Sequence, residues 1–309
     1  MKTKLVITLL VVVVYIILQI IPKNHHKNDN AFIVDKGEPP LVIAHGGGKL
    51  LNPENTWMAF DHAYDLNVDV LEIDLHLTSD NILVSYHNDT LDGLSNMTGT
   101  INDYTYDELK KGNFGQHFVA LDGSLPYKDL SVEELESYGN KLSPASLEEM
   151  FIKYGKDVLY IVEIKDSNEL GIKAVEELVS LIDKYQMEEY SCIASFDQEV
   201  IDHALTIKSD LMINSFDFTT SLYFVIASIA GVDYFTNYPH HGLQLPLEEY
   251  NIPLDTSYLI NKIHRHGNFV HYWTINDEKD MQKCIDNHAD GIITDRPDLL
   301  IPLIEKNFK

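Results

Sequence analysis

Val70-Leu71-Glu72-Ile73-Asp74-Leu75, then Thr78-Ser79-Asp80-Asn81, then Leu83-Val84-Ser85-Tyr86-His87, is the stretch on which the fold turns. Both apolar runs have the length and the β-branched content of strands and are bounded by turn formers. The polar residues between them are too few for a helical crossover, so the runs pair as an antiparallel hairpin. Working outward, similar runs occur at 41–45, 159–164, 192–196, 211–214, 234–236, 269–274 and 291–294. Helical patterns at 56–66, 146–154, 171–185, 198–206 and 278–287 separate most of them, and Ser146-Leu147-Glu148-Glu149 has the form of a capped start. Strands alternating with helices make a parallel sheet. Nine runs for eight barrel positions, with the hairpin absorbing the surplus, give an α/β (β/α)8 TIM-type barrel over 41–309. The polar stretch 92–143, rich in Gly, Asn and Asp, reads as an insertion after the third strand, of the kind that builds or covers an active site.

Charge narrows the functions open to such a barrel. Among 309 residues, 23 Lys and Arg face 48 Asp and Glu, a formal net charge of −25, which opposes a nucleic-acid partner. An anionic small molecule is repelled by the same field, so a phosphate site here needs a local inversion of sign, most simply from a divalent cation. Cys192 and Cys284 have no metal-like spacing and read as buried thiols rather than a disulfide. Nothing in the composition points to a protein partner.

Ahead of the barrel, Lys2 and Lys4 precede an uncharged apolar run, 5–21, that spans roughly 26 Å as a helix. No small-residue cleavage site follows, so residues 1–22 are expected to form a single-pass transmembrane signal-anchor that leaves the catalytic domain on the extracytoplasmic side of the cell membrane. Residues 23–40 read as a polar linker, in which His25 and His26 are expected to bind nothing specific.

In a barrel of this type the chemistry sits at the C-terminal ends of the strands. Glu72 and Asp74, two apart on one strand, point to one face and repel unless a cation lies between them. Glu163 and Lys165 repeat the alternation on another strand. Three carboxylates without clustered Cys or His favour Mg2+ or Ca2+. His76 shares the face of Glu72 and Asp74 but lies further along, and is expected not to be a ligand. His45 and His87, at two other strand ends, suit a general acid and base on opposite sides of a phosphorus.

These residues fall in an ordered set of motifs. They are Ile43-Ala44-His45-Gly46-Gly47, Pro53-Glu54-Asn55-Thr56, Glu72-Ile73-Asp74, Thr78-Ser79-Asp80, His87, Glu163-Ile164-Lys165, Ser195-Phe196, Trp273-Thr274-Ile275-Asn276 and the run from Asp290 to Pro297. The set resembles the glycerophosphodiester phosphodiesterase family over residues 41 to about 300. The resemblance implies that Glu72, Asp74 and Glu163 hold one divalent cation, that His45 and His87 are the acid and base, and that Lys165 binds a phosphate oxygen. It implies that Glu54 and Asn55 belong to the loop that braces the first histidine, that Glu54 and Gly46 contact substrate, and that Phe196 and Trp273 wall the glycerol side, although core packing suits Phe196 equally well. Two positions depart: the family's Arg after the first histidine is Gly46, and its Asp after the second is Asn88. Gly46 offers substrate only a backbone amide, so compensation is expected from exposed amides of Gly46-Gly47-Gly48 together with Lys49. The implied reaction is metal-dependent hydrolysis of small or lipid glycerophosphodiesters to an alcohol and glycerol 3-phosphate. The alternatives are a barrel that binds phosphodiesters without turnover and a lysophospholipase D-like enzyme that forms a cyclic phosphate.

Overall fold

The computed structural model describes residues 2–21, 23, 30–214, 218–236 and 238–308, so His25 and His26 lie outside the described residues. Its strands are β1 (Leu41–His45), β2 (Val70–Leu77), β3 (Leu83–Ser85), β4 (Leu159–Ile164), β5 (Ser191–Ser195), β6 (Met212–Ile213), β7 (Gly242–Leu245), β8 (Glu248–Glu249), β9 (Ile252–Pro253), β10 (Phe269–Tyr272) and β11 (Gly291–Thr294). The order β6-β5-β4-β2-β1-β11-β10-β7 is parallel throughout, and a parallel bridge from Asn214 to Gly242 brings the two ends of that path together. The result is a nearly closed eight-stranded TIM-type barrel. β3 stands off it, antiparallel to the end of β2 with Leu75 opposite Ser85, as the short polar turn required.

Helices α1 (Lys2–Ile20), α2 (Trp57–Asp65), α3 (Tyr106–Leu109), α4 (Val132–Ser137), α5 (Leu147–Tyr154), α6 (Asn168–Tyr185), α7 (Gln198–Ile207), α8 (Phe218–Ile229), α9 (Ser257–Arg265), α10 (Glu278–Asp286) and α11 (Pro297–Asn307) complete the order. Several begin at side-chain caps that satisfy amides with no partner inside the helix: Thr56 for α2, Ser146 for α5, Thr256 for α9 and Asp277 for α10. The insertion holds α3 and α4, and its Ile101, Tyr106, Leu109 and Phe114 form a small core with Val84, Tyr86 and Leu91 from the chain just before it.

Alternation along the strands makes two environments. Leu71, Ile73, Leu75, Val162, Ile164 and Ile292 face outward and pack against helix residues such as Leu178 and Ile182. Ile43, Val70, Ile161, Cys192, Phe269 and Ile293 face inward, joined by Phe32 from the segment before β1. One step of two residues further along these inward faces stand His45, Glu72, Glu163 and Asp295. Fold and site are thus one pattern, apolar at the N-terminal end of the barrel interior and polar at the C-terminal end.

Three expectations are corrected. Residues 234–236 are not a strand: Asp233–Phe235 is a 3-10 turn, and the barrel position is taken by β7. Asp233 is fully buried between Lys262 at 3.3 Å, His266 at 3.0 Å and Arg265, and that ion network draws the backbone into a turn. β7 in turn needs Gly242, since a Cβ there would lie 2.1 Å from the Phe269 ring.

The expected linker is only partly a linker, because Phe32 is fully buried and the backbone oxygen of Phe32 meets His271 Nε2 at 3.2 Å. Finally, among the described residues no helix is long and apolar enough to cross a membrane. The uncharged part of α1 begins at Leu5 and rises about 24 Å to its end, against about 30 Å of hydrocarbon. Its last turn is also held by the barrel, with Gln19 Nε2 donating to the oxygen of Gly231 at 2.8 Å and Arg265 Nη1 to that of Leu18 at 2.6 Å.

Candidate active site

β1, β2 and β4 are neighbours in register, with His45 opposite Glu72 and Asp74 opposite Glu163. That register brings one oxygen from each of Glu72, Asp74 and Glu163 within 4.8 Å of one another, all three residues buried. Lys165 Nζ lies 3.0 Å from Asp74 Oδ1 and 2.6 Å from Glu163 Oε1. The Gly46 amide donates to Glu72 Oε2 at 2.8 Å, and Asn55 Nδ2 donates to Asp74 Oδ2 at 2.9 Å.

Burial pushes Glu163 up to about 7, with repulsion from Asp74 and Glu72 opposing the pull of Lys165. Burial and Asp74 likewise raise Glu72. Burial works the same way on Asp74, but Lys49 and Lys165 outweigh it and hold Asp74 at about 2. Three buried carboxylates of which two resist ionisation form a site short of positive charge, and their hard oxygens fit a divalent cation.

His45 Nδ1 meets Asp295 Oδ1 at 2.7 Å. The other oxygen of Asp295 accepts from Asn276 Nδ2 at 2.7 Å, while Asn276 Oδ1 accepts from the Asp295 amide at 2.8 Å. Burial opposes a charge on His45, yet the bond to Asp295 and the nearness of Glu72 raise its pKa. With Nδ1 committed to the carboxylate, Nε2 is the nitrogen left for chemistry. His87, just past β3, is braced more weakly, with Nδ1 and Asn88 Oδ1 3.0 Å apart.

A cavity of about 180 Å³ is lined by His45, His87, Glu72, Asp74, Glu163 and Lys165, with Phe196, Gln244, Trp273, Thr274 and Ile293 completing its wall. Phe196 is 69% exposed, so it belongs to the mouth and not to the core, and Lys165 Nζ lies 5.8 Å from its ring centre. Two expected contacts stand apart from this wall. Glu54 is engaged by Lys49 at 3.0 Å, and Gly46 has given its amide to Glu72. The expected glycine cradle does not form, because the amides of Gly47 and Gly48 donate to the oxygens of Ala44 and His45. His76 pairs with Asp166 at 2.6 Å, outside the carboxylate cluster. Sequence reading assigned no role to Asp295, Asn276, Thr274 or Gln244. For Asp295 the signal was available, since it follows inward-facing Ile293 by two.

Residues 45–299 match the model of the Glycerophosphoryl diester phosphodiesterase family. The chain belongs to that family. A glycerophosphodiester phosphodiesterase of Caldanaerobacter subterraneus subsp. tengcongensis is 30% identical over 270 residues, covering 86% of this chain and 98% of the relative. A lysophospholipase D of Mus musculus is 25% identical over 276 residues, 82% of this chain and 83% of its own. Among solved structures, a glycerophosphodiester phosphodiesterase of Agrobacterium tumefaciens superposes with a TM-score of 0.63 at 17% identity, covering 84% of this chain and 99% of that one. An Oleispira antarctica phosphodiesterase in complex with the product sn-glycerol-3-phosphate does so with a TM-score of 0.64 at 20% identity, covering 86% and 97%. Like the match to the family model, these likenesses span the barrel that carries the cavity.

Proposed function

We propose that this family member hydrolyses glycerophosphodiesters to an alcohol and glycerol 3-phosphate, with His45 as general acid and His87 as general base. The carrying observation is that both histidines, Lys165 and the three clustered carboxylates meet on one cavity. Glu72, Asp74 and Glu163 would hold a divalent ion, which when bound supplies positive charge to a phosphoryl oxygen. Lys165 binds a second phosphate oxygen. His87 takes a proton from water as the water oxygen bonds to phosphorus. The phosphorus–oxygen bond to the alcohol breaks, and His45, kept protonated by Asp295, gives its proton to the leaving oxygen. Phe196 and Trp273, both exposed at the mouth, carry the apolar part of the substrate and favour lipid or envelope phosphodiesters. The same reading lays α1 along a lipid surface without crossing it. It is supported by the exposed side chains of Leu5, Leu9, Val13 and Ile17.

The test is to incubate the full chain with glycerophosphocholine, glycerophosphoglycerol and a lysophospholipid, under Mg2+, Ca2+ or chelator, and to follow phosphorus products. Ion-dependent glycerol phosphate, lost in Glu163→Gln and His45→Ala, is expected. A cyclic phosphate would assign the nucleophile to a neighbouring hydroxyl, and binding without turnover would sink the hydrolase reading. Protease accessibility of the barrel in intact cells tests its side of the membrane.

A further inference from the structure

We propose that Lys49 is a positioning residue of this site, a half-buried cation that seats Asp74 and Glu54 without touching substrate. Lys49 follows the β1 turn, and its side chain folds back over Gly46. A Cβ at residue 46 would lie 2.8 Å from Lys49 Cε, so a side chain there would push the end of the lysine off its present place. The ammonium lies 3.0 Å from Glu54 Oε2 and 3.9 Å from Asp74 Oδ2. It does not line the cavity.

Asp74 is therefore held from two sides: Lys165 at Oδ1, and Asn55 with Lys49 at Oδ2. Glu54 comes from the loop after β1 and Asp74 from β2, and Lys49 is the positive charge between them. Without it, two carboxylates face each other across a largely buried space, and Asp74 swings away from the geometry that Glu72 and Glu163 share. Gly46 and Lys49 thus act as one unit.

The kinetic half of the test rests on the hydrolase reading, while the thermal half needs no turnover, so the two can fail separately. In Lys49→Met, kcat is expected to fall about tenfold or more with KM within about threefold, because no substrate contact is lost. In chelator the melting temperature should drop by about 3 °C or more beyond its drop with Mg2+, since the ion replaces the missing positive charge. Lys49→Met/Glu54→Gln, which removes both members of the Glu54 pair, should recover at least about threefold of the lost kcat and narrow the thermal gap. A rise in KM at unchanged kcat would assign Lys49 to the substrate and overturn the proposal. So would equal thermal losses with and without ion, or a double variant no better than the single. If neither variant folds, Lys49 serves the fold and the proposal is likewise overturned.

Discussion

At the N-terminal end of the barrel the interior is filled by Phe32, Phe269 and His271, whose rings pack at centre distances of 5.8 Å and 4.4 Å about Phe269. At the C-terminal end of the same strand set it holds Glu72, Asp74, Glu163 and His45. Both ends bury ionisable groups, and they treat them oppositely. His271 is fully buried with Nδ1 unpartnered, and burial pushes it down to about 4, against the pull of Asp290, so that it stays neutral. His45 is kept ready for charge by a carboxylate at 2.7 Å, and Asp74 by two lysines. Burial alone silences a titratable group, whereas burial beside an opposite charge tunes it.

Removing a carboxylate from the polar end should break the comparison most sharply. Glu163→Gln is expected to lower kcat about 1,000-fold, a loss of several kcal/mol of transition-state charge stabilisation. It should not lower the melting temperature in chelator. The sign follows from Glu163 standing at about 7 in the fold against an ordinary 4.5: the folded state holds this proton more tightly than the unfolded one. Stability therefore falls as pH rises between those values, and a neutral Gln escapes that loss. Calorimetry of both proteins at pH 8 in chelator checks it.

At the apolar end, Phe32→Ala should cost about 3–5 kcal/mol in denaturant titrations while leaving kcat/KM of the folded fraction within about twofold, since the lost packing lies at the far end from the cavity.

His271 has a smaller and pH-dependent effect. Its pKa is depressed in the fold, so the unfolded chain binds its proton first. Stability is full above about pH 6.5 and declines by up to about 3 kcal/mol as pH falls toward 4. Comparing His271→Leu with the parent at pH 7 and pH 4.5 should show the acid-side loss shrinking in the variant.

The mildest change is at the brace. Asp295→Asn is expected to lower kcat about tenfold and to move the alkaline limb of the rate profile to lower pH, because a His45 acid with a lowered pKa gives up its proton sooner. An unchanged limb would remove Asp295 from the mechanism.

Local pattern made much of this legible. The runs 41–45, 159–164 and 291–294 coincide with β1, β4 and β11, because strands buried on both faces are unbroken apolar runs with turn residues at their ends. Spacing by two was enough to put Glu72 with Asp74, and Glu163 with Lys165, on one face of each run, since alternation is a property of any extended chain. The failures share a cause. Tyr234 and Thr236 look like strand residues, but Asp233 is captured by two cations of α9, Lys262 and Arg265, and by the ring of His266 just after it. Gly46 looked like an open anion cradle, but its amide is taken by Glu72 from the next strand.

The sequence by itself determined the alternation of strand and helix, the hairpin, and the set of side chains directed into the barrel mouth, because each depends on residues within one or two turns of chain. Only the tertiary structure decided which partners those side chains meet. Asp295 reaches His45 across 250 residues, Phe32 seals the far end, and Lys49 lies over a glycine to face Asp74. Such pairings depend on distances set by barrel closure, and the potential between two charges changes severalfold over a few ångströms that no local pattern encodes.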